Sequence, residues 1–251
     1  MEVRVQHGAR ATPFLQARDT FETEYDLELP VKVFVREDPD ERTWTGHHPT
    51  HHVLNIGRAA AHGAMARELA IHEFSHMHRH EQGHSSHRQS TAEAIYLSAA
   101  GRRVPKARIT QCYQIANHMK DIYADDLTVQ VTPTDKLVRY LEASLAAAVA
   151  GNGHRPAIEA AERVTPRTDP DIAAVNAAFA LGLVERHGLV EADHPLQHLA
   201  RIAANDAPNV PFEQFHTLFR DLGRSPTSSE YRRWLVDATS IYLGTEQPAA
   251  D

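Results

Sequence analysis

The chain has 251 residues, enough for one large domain or two small ones and for a real buried core. Its 26 basic and 33 acidic residues give a net charge of −7, a mildly acidic balance that argues against a general binder of nucleic acid or anionic membrane. One cysteine, Cys112, excludes an internal disulfide and a cysteine-based zinc site; Ala143–Ala150, the longest apolar run, is too short for a membrane span, and Met1–Val5 does not read as a secretory signal, so a cytoplasmic protein is expected.

In chain order, Thr12 to Leu29 reads as a helix, with Thr12 as N-cap, Pro13 at the first helical position and Pro30 as the stop. Val31–Arg36 alternates and is β-branched, which predicts a strand. Glu37–Arg42 reads as an acidic turn, His47–His52 as a loop, and Val53–Ile56 as a second short strand. From Ala59 onward the Ala-rich run predicts one helix into and beyond residue 76. Arg79–Gln89 is polar and holds Gly83, so it reads as loop. Ser90-Thr91-Ala92-Glu93 forms a capping box opening a helix to about residue 101, and a further helix runs from about Lys106 to Leu127. After Pro133 the composition shifts to Ala, Leu and Arg. Helices are expected near 134–149, 156–163, 171–187, 195–205, 211–222 and 228–243, the last opened by a capping box at Thr227–Glu230. The expected class is α+β and mostly helical, with a first half over 1–133 that holds a short sheet and an all-helical half over 134–251.

The chemistry concentrates in Ala70-Ile71-His72-Glu73-Phe74-Ser75-His76-Met77, an H-E-x-x-H sequence inside the predicted helix. Residues four apart share a helix face, so His72 and His76 can offer imidazole nitrogens to one ion, and Glu73 projects from the edge of that face as a general base. Zn²⁺ suits two imidazoles, and a catalytic zinc needs a third protein ligand with a fourth position left for water. His78 and His80 are expected to rotate away into solvent. Glu93 is one candidate third ligand, although capping explains it as well. His118, Asp121 and Asp125 share a face of the later helix at i, i+3 and i+7 and offer the other candidates.

H-E-x-x-H followed by Asp121-Ile122-Tyr123-Ala124-Asp125 resembles the gluzincin group of zincin metallopeptidases. That group includes the membrane-embedded prenyl-protein and heat-shock peptidases and the soluble minigluzincins, and it pairs H-E-x-x-H with E-x-x-A-D over what here are roughly residues 50–130. The resemblance implies a zincin-like fold for the first half, Asp121 as third zinc ligand in place of Glu, and Asp125 as the outer group that orients a ligand histidine; His118, on the same helix face, is a further candidate for an outer role. It also implies a substrate-aligning edge strand at Val53–Ile56. The metzincin extension is missing, since Arg79 and Gln82 stand where Gly and His would be needed.

These readings converge on a zinc-dependent metallopeptidase of peptide or protein substrates, with no nucleic-acid partner. His72, His76 and Asp121 hold the metal, and Glu73 is the base. Tyr123, Tyr113 and His84 are candidates to stabilise the oxyanion. The rivals are an inactive zincin-fold zinc protein with a regulatory or interaction role, a metal-free helical scaffold, and a small-molecule amide hydrolase or deaminase.

Overall fold

The computed structural model describes residues 1–6, 10–38, 43–152 and 169–244. The chain is α+β and mostly helical, and it divides into two compact units. The first comprises residues 1–88 and 120–133, the second residues 89–119 and 134–251. Residues 120–133 complete the first unit, and residues 89–119 group with the C-terminal helices. The expected helix near 156–163 and the last residues of the chain lie outside the described residues.

The first unit is built on a four-stranded sheet in the order β1-β2-β4-β3, with β1 at Val3–Gln6, β2 at Val31–Arg36, β3 at Trp44–His48 and β4 at His51–Gly57. β2 matches the expected strand, and its buried Val31 and Val33 face the core. β1 and β2 run parallel, as do β2 and β4, whereas β3 returns antiparallel on β4 with His47 opposite His52 and His48 opposite His51. The histidine-rich stretch is therefore a hairpin rather than a loop: only Pro49 and Thr50 turn. Its polar composition hides the strands because the ladder is carried by the main chain and not by β-branched side chains. The edge is also not where it was expected. Val53–Ile56 lies inside the sheet between β2 and β3, and the antiparallel edge strand is β3.

Helix α1, Thr12–Phe21, is shorter than expected. Ala11 is its N-cap, and Thr12 is already helical. It ends before Leu29 because residues 22–25 close local turns and Asp26 accepts a hydrogen bond from the Leu27 amide at 2.8 Å, an alternative to the helical ladder. The Ala-rich run is also broken. A short α2, Arg58–His62, stops at Gly63, whose extended backbone separates it from α3, Ala66–Glu81. The core joins Phe14 and Phe21 of α1, Val31, Val33, Leu54 and Ile56 of the sheet, and Ile71, Phe74 and Met77 of α3, all fully buried. Helix α3 ends in a Schellman arrangement: the Gly83 amide donates to His80 O at 2.9 Å and the His84 amide to Arg79 O at 3.0 Å. Gly83 takes φ +64°, the left-handed conformation that this reversal requires. A one-turn helix, α4, follows at Ser85–Arg88.

Helix α5, Thr91–Ala99, belongs to the second unit, and α6, Lys106–Val131, contributes its first fourteen residues to the second unit and the remainder to the first. The rest of the second unit comprises α7 (Asp135–Asn152), α8 (Pro170–Arg186), α9 (Pro195–Asp206), α10 (Phe212–Asp221) and α11 (Ser228–Leu243). Residues 89–119 join it for visible reasons. The hydroxyls of Ser98 on α5 and Thr239 on α11 pair in a buried contact, and Arg108 on α6 binds Asp171 at 2.9 Å. Every residue of α8 from Ile172 to Val184 except Asn176 is buried. Gly182 lets α10 close on it, since a Cβ there would lie 3.0 Å from the Phe219 Cβ and 3.1 Å from the Arg220 amide nitrogen. Thr227 caps α11 through the expected capping box with Glu230. Among the described residues, no helix is long and apolar enough to cross a membrane.

Candidate metal centre

Helix α3 is amphipathic in a useful way. Ala70, Ile71, Phe74 and Met77 bury one side in the core, which leaves His72 and His76 on an adjoining, partly open side. The second half of α6 lies against α3 within the same unit. Ser75 Oγ and Thr128 Oγ1 meet at 3.1 Å in a buried contact, and Arg79 Nε donates to the Tyr123 carbonyl at 3.0 Å. These two ties fix the helix that carries Asp121 against the helix that carries the paired imidazoles.

Three ligand atoms converge. His72 Nε2 and His76 Nε2 are 3.1 Å apart, Asp121 Oδ1 is 3.2 Å from His76 Nε2, and Asp121 Oδ1 is 3.8 Å from His72 Nε2. Tetrahedral coordination at zinc bond lengths near 2.1 Å places ligand atoms about 3.4 Å from each other, so the observed triangle has the size of one face of a zinc tetrahedron. His72, His76 and Asp121 are also the one group of this kind among the described residues, with all ligand atoms within 4.8 Å. The aspartate is long enough because α6 approaches closely. The side chains are 13–25 % exposed, so the centre opens to solvent on one side.

The outer contacts hold both rings. Asp125 is buried and accepts the Nδ1–H of His72 at 2.7 Å, so it lies behind the ring rather than among the converging atoms. Burial works against charge on His72, but Asp125, Asp121 and Glu73 together outweigh it and push its pKa up to about 10. The negative potential here favours a positive charge between the three side chains. Behind His76 stands a different partner: its Nδ1 lies 2.8 Å from His87 Nε2. Burial keeps His87 neutral by lowering its pKa.

Glu73 is buried and makes no hydrogen bond or ion pair with another described residue. Burial raises its pKa, with Asp121 and Asp125 adding to the rise and the two imidazoles opposing it. Neither carboxylate oxygen of Glu73 is among the fully buried atoms without a hydrogen bond, so the group keeps access to solvent, and carboxylates with raised pKa values beside a charge cluster gather where chemistry needs them.

The other expected site residues lie as follows. His118, expected beside Asp125, instead bonds Asn176 at 2.8 Å and stacks on the Phe179 ring at 4.3 Å, both on α8. It shares a helix face with Asp125, but seven residues of rise put the two about 10 Å apart along the axis. Glu93 binds Arg232 of its own unit at 2.9 Å, and Ser90 accepts from its amide, so only half of the capping box forms. The Tyr123 ring is fully buried and tilted against His84 at 4.7 Å. Tyr113 is an exposed residue of the second unit. His80 does not rotate away: at four residues past His76 it stays on the same side of α3 and stacks on His47 at 3.8 Å.

The histidine-rich stretches His47–His52 and His78–His87 read from sequence as polar loops flanking the cleft, without a particular role for His47, Ser86 or His87. Sequence reasoning missed Lys120, whose positive charge bears on His47 and His87, and whose own pKa is lowered by burial despite neighbouring Asp121. Lys120 directly precedes Asp121, so adjacency to a candidate ligand was the available signal.

A second histidine cluster lies at the far end of α3. His47 Nδ1 and His52 Nδ1 meet at 2.9 Å, and His52 Nε2 donates to Glu81 Oε1 at 2.9 Å. Glu81 also accepts from the amides of Glu28 at 2.8 Å and Leu29 at 2.9 Å. Burial and the adjoining histidines lower the His47 pKa to about 3.

The chain belongs to a family of unknown function, DUF5781, whose model matches residues 1–244. No curated protein and no solved structure matches the chain.

Proposed function

We infer that this chain is a zinc-dependent metallopeptidase of the zincin type, acting on peptide or protein substrates. The observation that carries the reading is the convergence of His72 Nε2, His76 Nε2 and Asp121 Oδ1 at 3.1, 3.2 and 3.8 Å, with the unpaired Glu73 next to them. Zinc held there would acidify a water and polarise a scissile carbonyl. Each residue then has a defined task. His72 and His76 present lone pairs, and Asp125 keeps His72 in the tautomer that does so. Glu73 collects the proton released by the attacking water and delivers it to the departing amine. Lys120, next to Asp121 in the chain, is a cation that would offset negative charge developing on the substrate, whereas the Tyr123 ring is fully buried. Among the described strands β3 stands at the edge of the sheet, where an extended peptide would pair through the main chain, and His47 of that strand stacks on α3 one turn beyond His76.

Two imidazoles and a carboxylate also suit Fe²⁺. The general-base position of Glu73 favours hydrolysis. A cytoplasmic location belongs to the same proposal and is supported by the single buried cysteine, Cys112.

The test is elemental analysis of the purified protein beside His72→Ala, followed by a broad peptide-cleavage screen with Glu73→Gln as control. One zinc per chain in the wild type, none in His72→Ala, and cleavage lost in zinc-loaded Glu73→Gln are expected. Stoichiometric iron, or turnover that survives Glu73→Gln, overturns the proposal.

A further inference from the structure

We propose that Ser86, together with His87 and His84, forms a proton-ordered relay that locks His76 in the tautomer offering Nε2, which makes Ser86 and His87 positioning residues of the metal centre. The proposal deepens the zinc reading and rests on it for its function, but the proton order follows from contacts that do not involve a metal.

The order can be worked inward from one unambiguous donor. The Ser86 backbone N–H donates to His84 Nδ1 at 3.3 Å, so that nitrogen carries a lone pair and no proton. Ser86 Oγ lies 2.8 Å from the same nitrogen, so the hydroxyl spends its single proton there. The hydroxyl oxygen can then only accept in its other short contact, which is with His87 Nδ1 at 2.8 Å. His87 therefore carries its proton on Nδ1. With that single proton placed, Nε2 is bare. His87 Nε2 lies 2.8 Å from His76 Nδ1, which must be the donor in that bond. His76 is left with an unprotonated Nε2 directed at His72 Nε2 and Asp121 Oδ1.

Each link thus has one donor and one acceptor, and with one proton on each ring reversing any link requires two protons or two lone pairs to face each other. The fold supplies the parts for this. Ser86 is fully buried, and the left-handed Gly83 turns the chain so that α4 brings residues 86 and 87 back to the level of His76, eleven positions earlier in the chain. The two ligand histidines are consequently held by different means. His72 has an anion behind it, whereas His76 has a neutral chain. Hydrogen bonds in series polarise one another, so a cation on Nε2 strengthens the whole relay.

The experiment measures zinc affinity by competition with a chelator for wild type and Ser86→Ala, and the ring-nitrogen chemical shifts of the histidines by ¹H–¹⁵N NMR in metal-free wild-type protein. Ser86→Ala is expected to weaken zinc binding about 10- to 100-fold, the usual consequence of losing an outer partner of a ligand. His87→Gln, a second route to the same break, is expected to do likewise. The wild-type NMR spectra are expected to show His76 and His87 protonated on Nδ1 and His84 on Nε2. A reversed or mixed tautomer pattern in the wild type overturns the relay, whether or not any variant folds. Unchanged zinc affinity in both variants overturns its positioning role. A wild type that binds no zinc but shows the expected tautomers defeats the metallopeptidase reading and the positioning role while leaving the proton order standing.

Discussion

Helix α3 carries two histidine clusters one turn apart, built from the same residue types, and they are arranged in opposite ways. In the second cluster His47, His52 and Glu81 run in a line: each close nitrogen meets one neighbour, and the line ends on a carboxylate satisfied by two backbone amides. In the first, three acceptor-bearing atoms face a common point, with distances of 3.1, 3.2 and 3.8 Å. A line of alternating donors and acceptors is complete by itself. A convergence on one point is not, because ligand atoms that meet repel unless a cation, the His72 proton or a metal ion, lies among them. Convergence, rather than the number of histidines, is what distinguishes an ion site from a hydrogen-bonded brace.

The contrast can be broken at either cluster. Asp121→Ala removes a converging oxygen and is expected to lower zinc affinity by about 1000-fold or more, the order set by loss of one of three ligands, with folding of the metal-free chain largely kept; calorimetric titration reads it. Glu81→Ala should do the reverse. It leaves the Glu28 and Leu29 amides and His52 without their acceptor, an expected cost of about 2–4 kcal/mol in urea unfolding, while stoichiometric zinc is retained. A zinc-free but stable Glu81→Ala protein would invert the assignment. Asp125→Asn keeps the shape behind His72 but removes the charge, and a loss of about 10- to 100-fold in zinc affinity is expected.

The smallest effect is in pH. Without metal the His72 pKa is raised to about 10, so through neutral pH the folded chain holds a proton there that zinc must displace. Zinc affinity should therefore climb about tenfold per pH unit between about pH 7 and 9. The metal-free protein should show the converse in stability. A raised imidazole pKa contributes fully below the unfolded value of 6.5 and is lost as pH rises through about 10, so chelated protein weakens toward alkaline pH. A flat zinc affinity across that range would mean that the three side chains do not share the charge of one cation.

Several of these parts can be read directly from residue order. β2 follows from the alternation of Val31, Val33 and Val35, and α11 from its Thr227 capping box, because both signals are local. Helical spacing puts His72 and His76 on one face, whereas Asp121 is singled out from Glu93, His118 and Asp125 only by the resemblance to the gluzincin pattern. Other features depend on long-range geometry. The 44–57 hairpin is held by main-chain bonds and histidine stacks that no propensity encodes, and His118 is drawn to Asn176 by the packing of α8. From sequence Glu93 reads equally as a ligand or as a capping partner; in the fold Arg232, far along the chain, takes its carboxylate.

Gly83 carries a consequence beyond its turn. A Cβ at this position would come no nearer than 3.6 Å to any neighbour, so the obstacle to a side chain is torsional rather than steric, about 1 kcal/mol for an alanine forced into the left-handed region. A chain that relieved the torsion would swing residues 84–88 off their heading. The sense of rotation about one N–Cα bond then settles which nitrogen of a distant imidazole stays basic, so that conformational handedness is translated into acid–base identity.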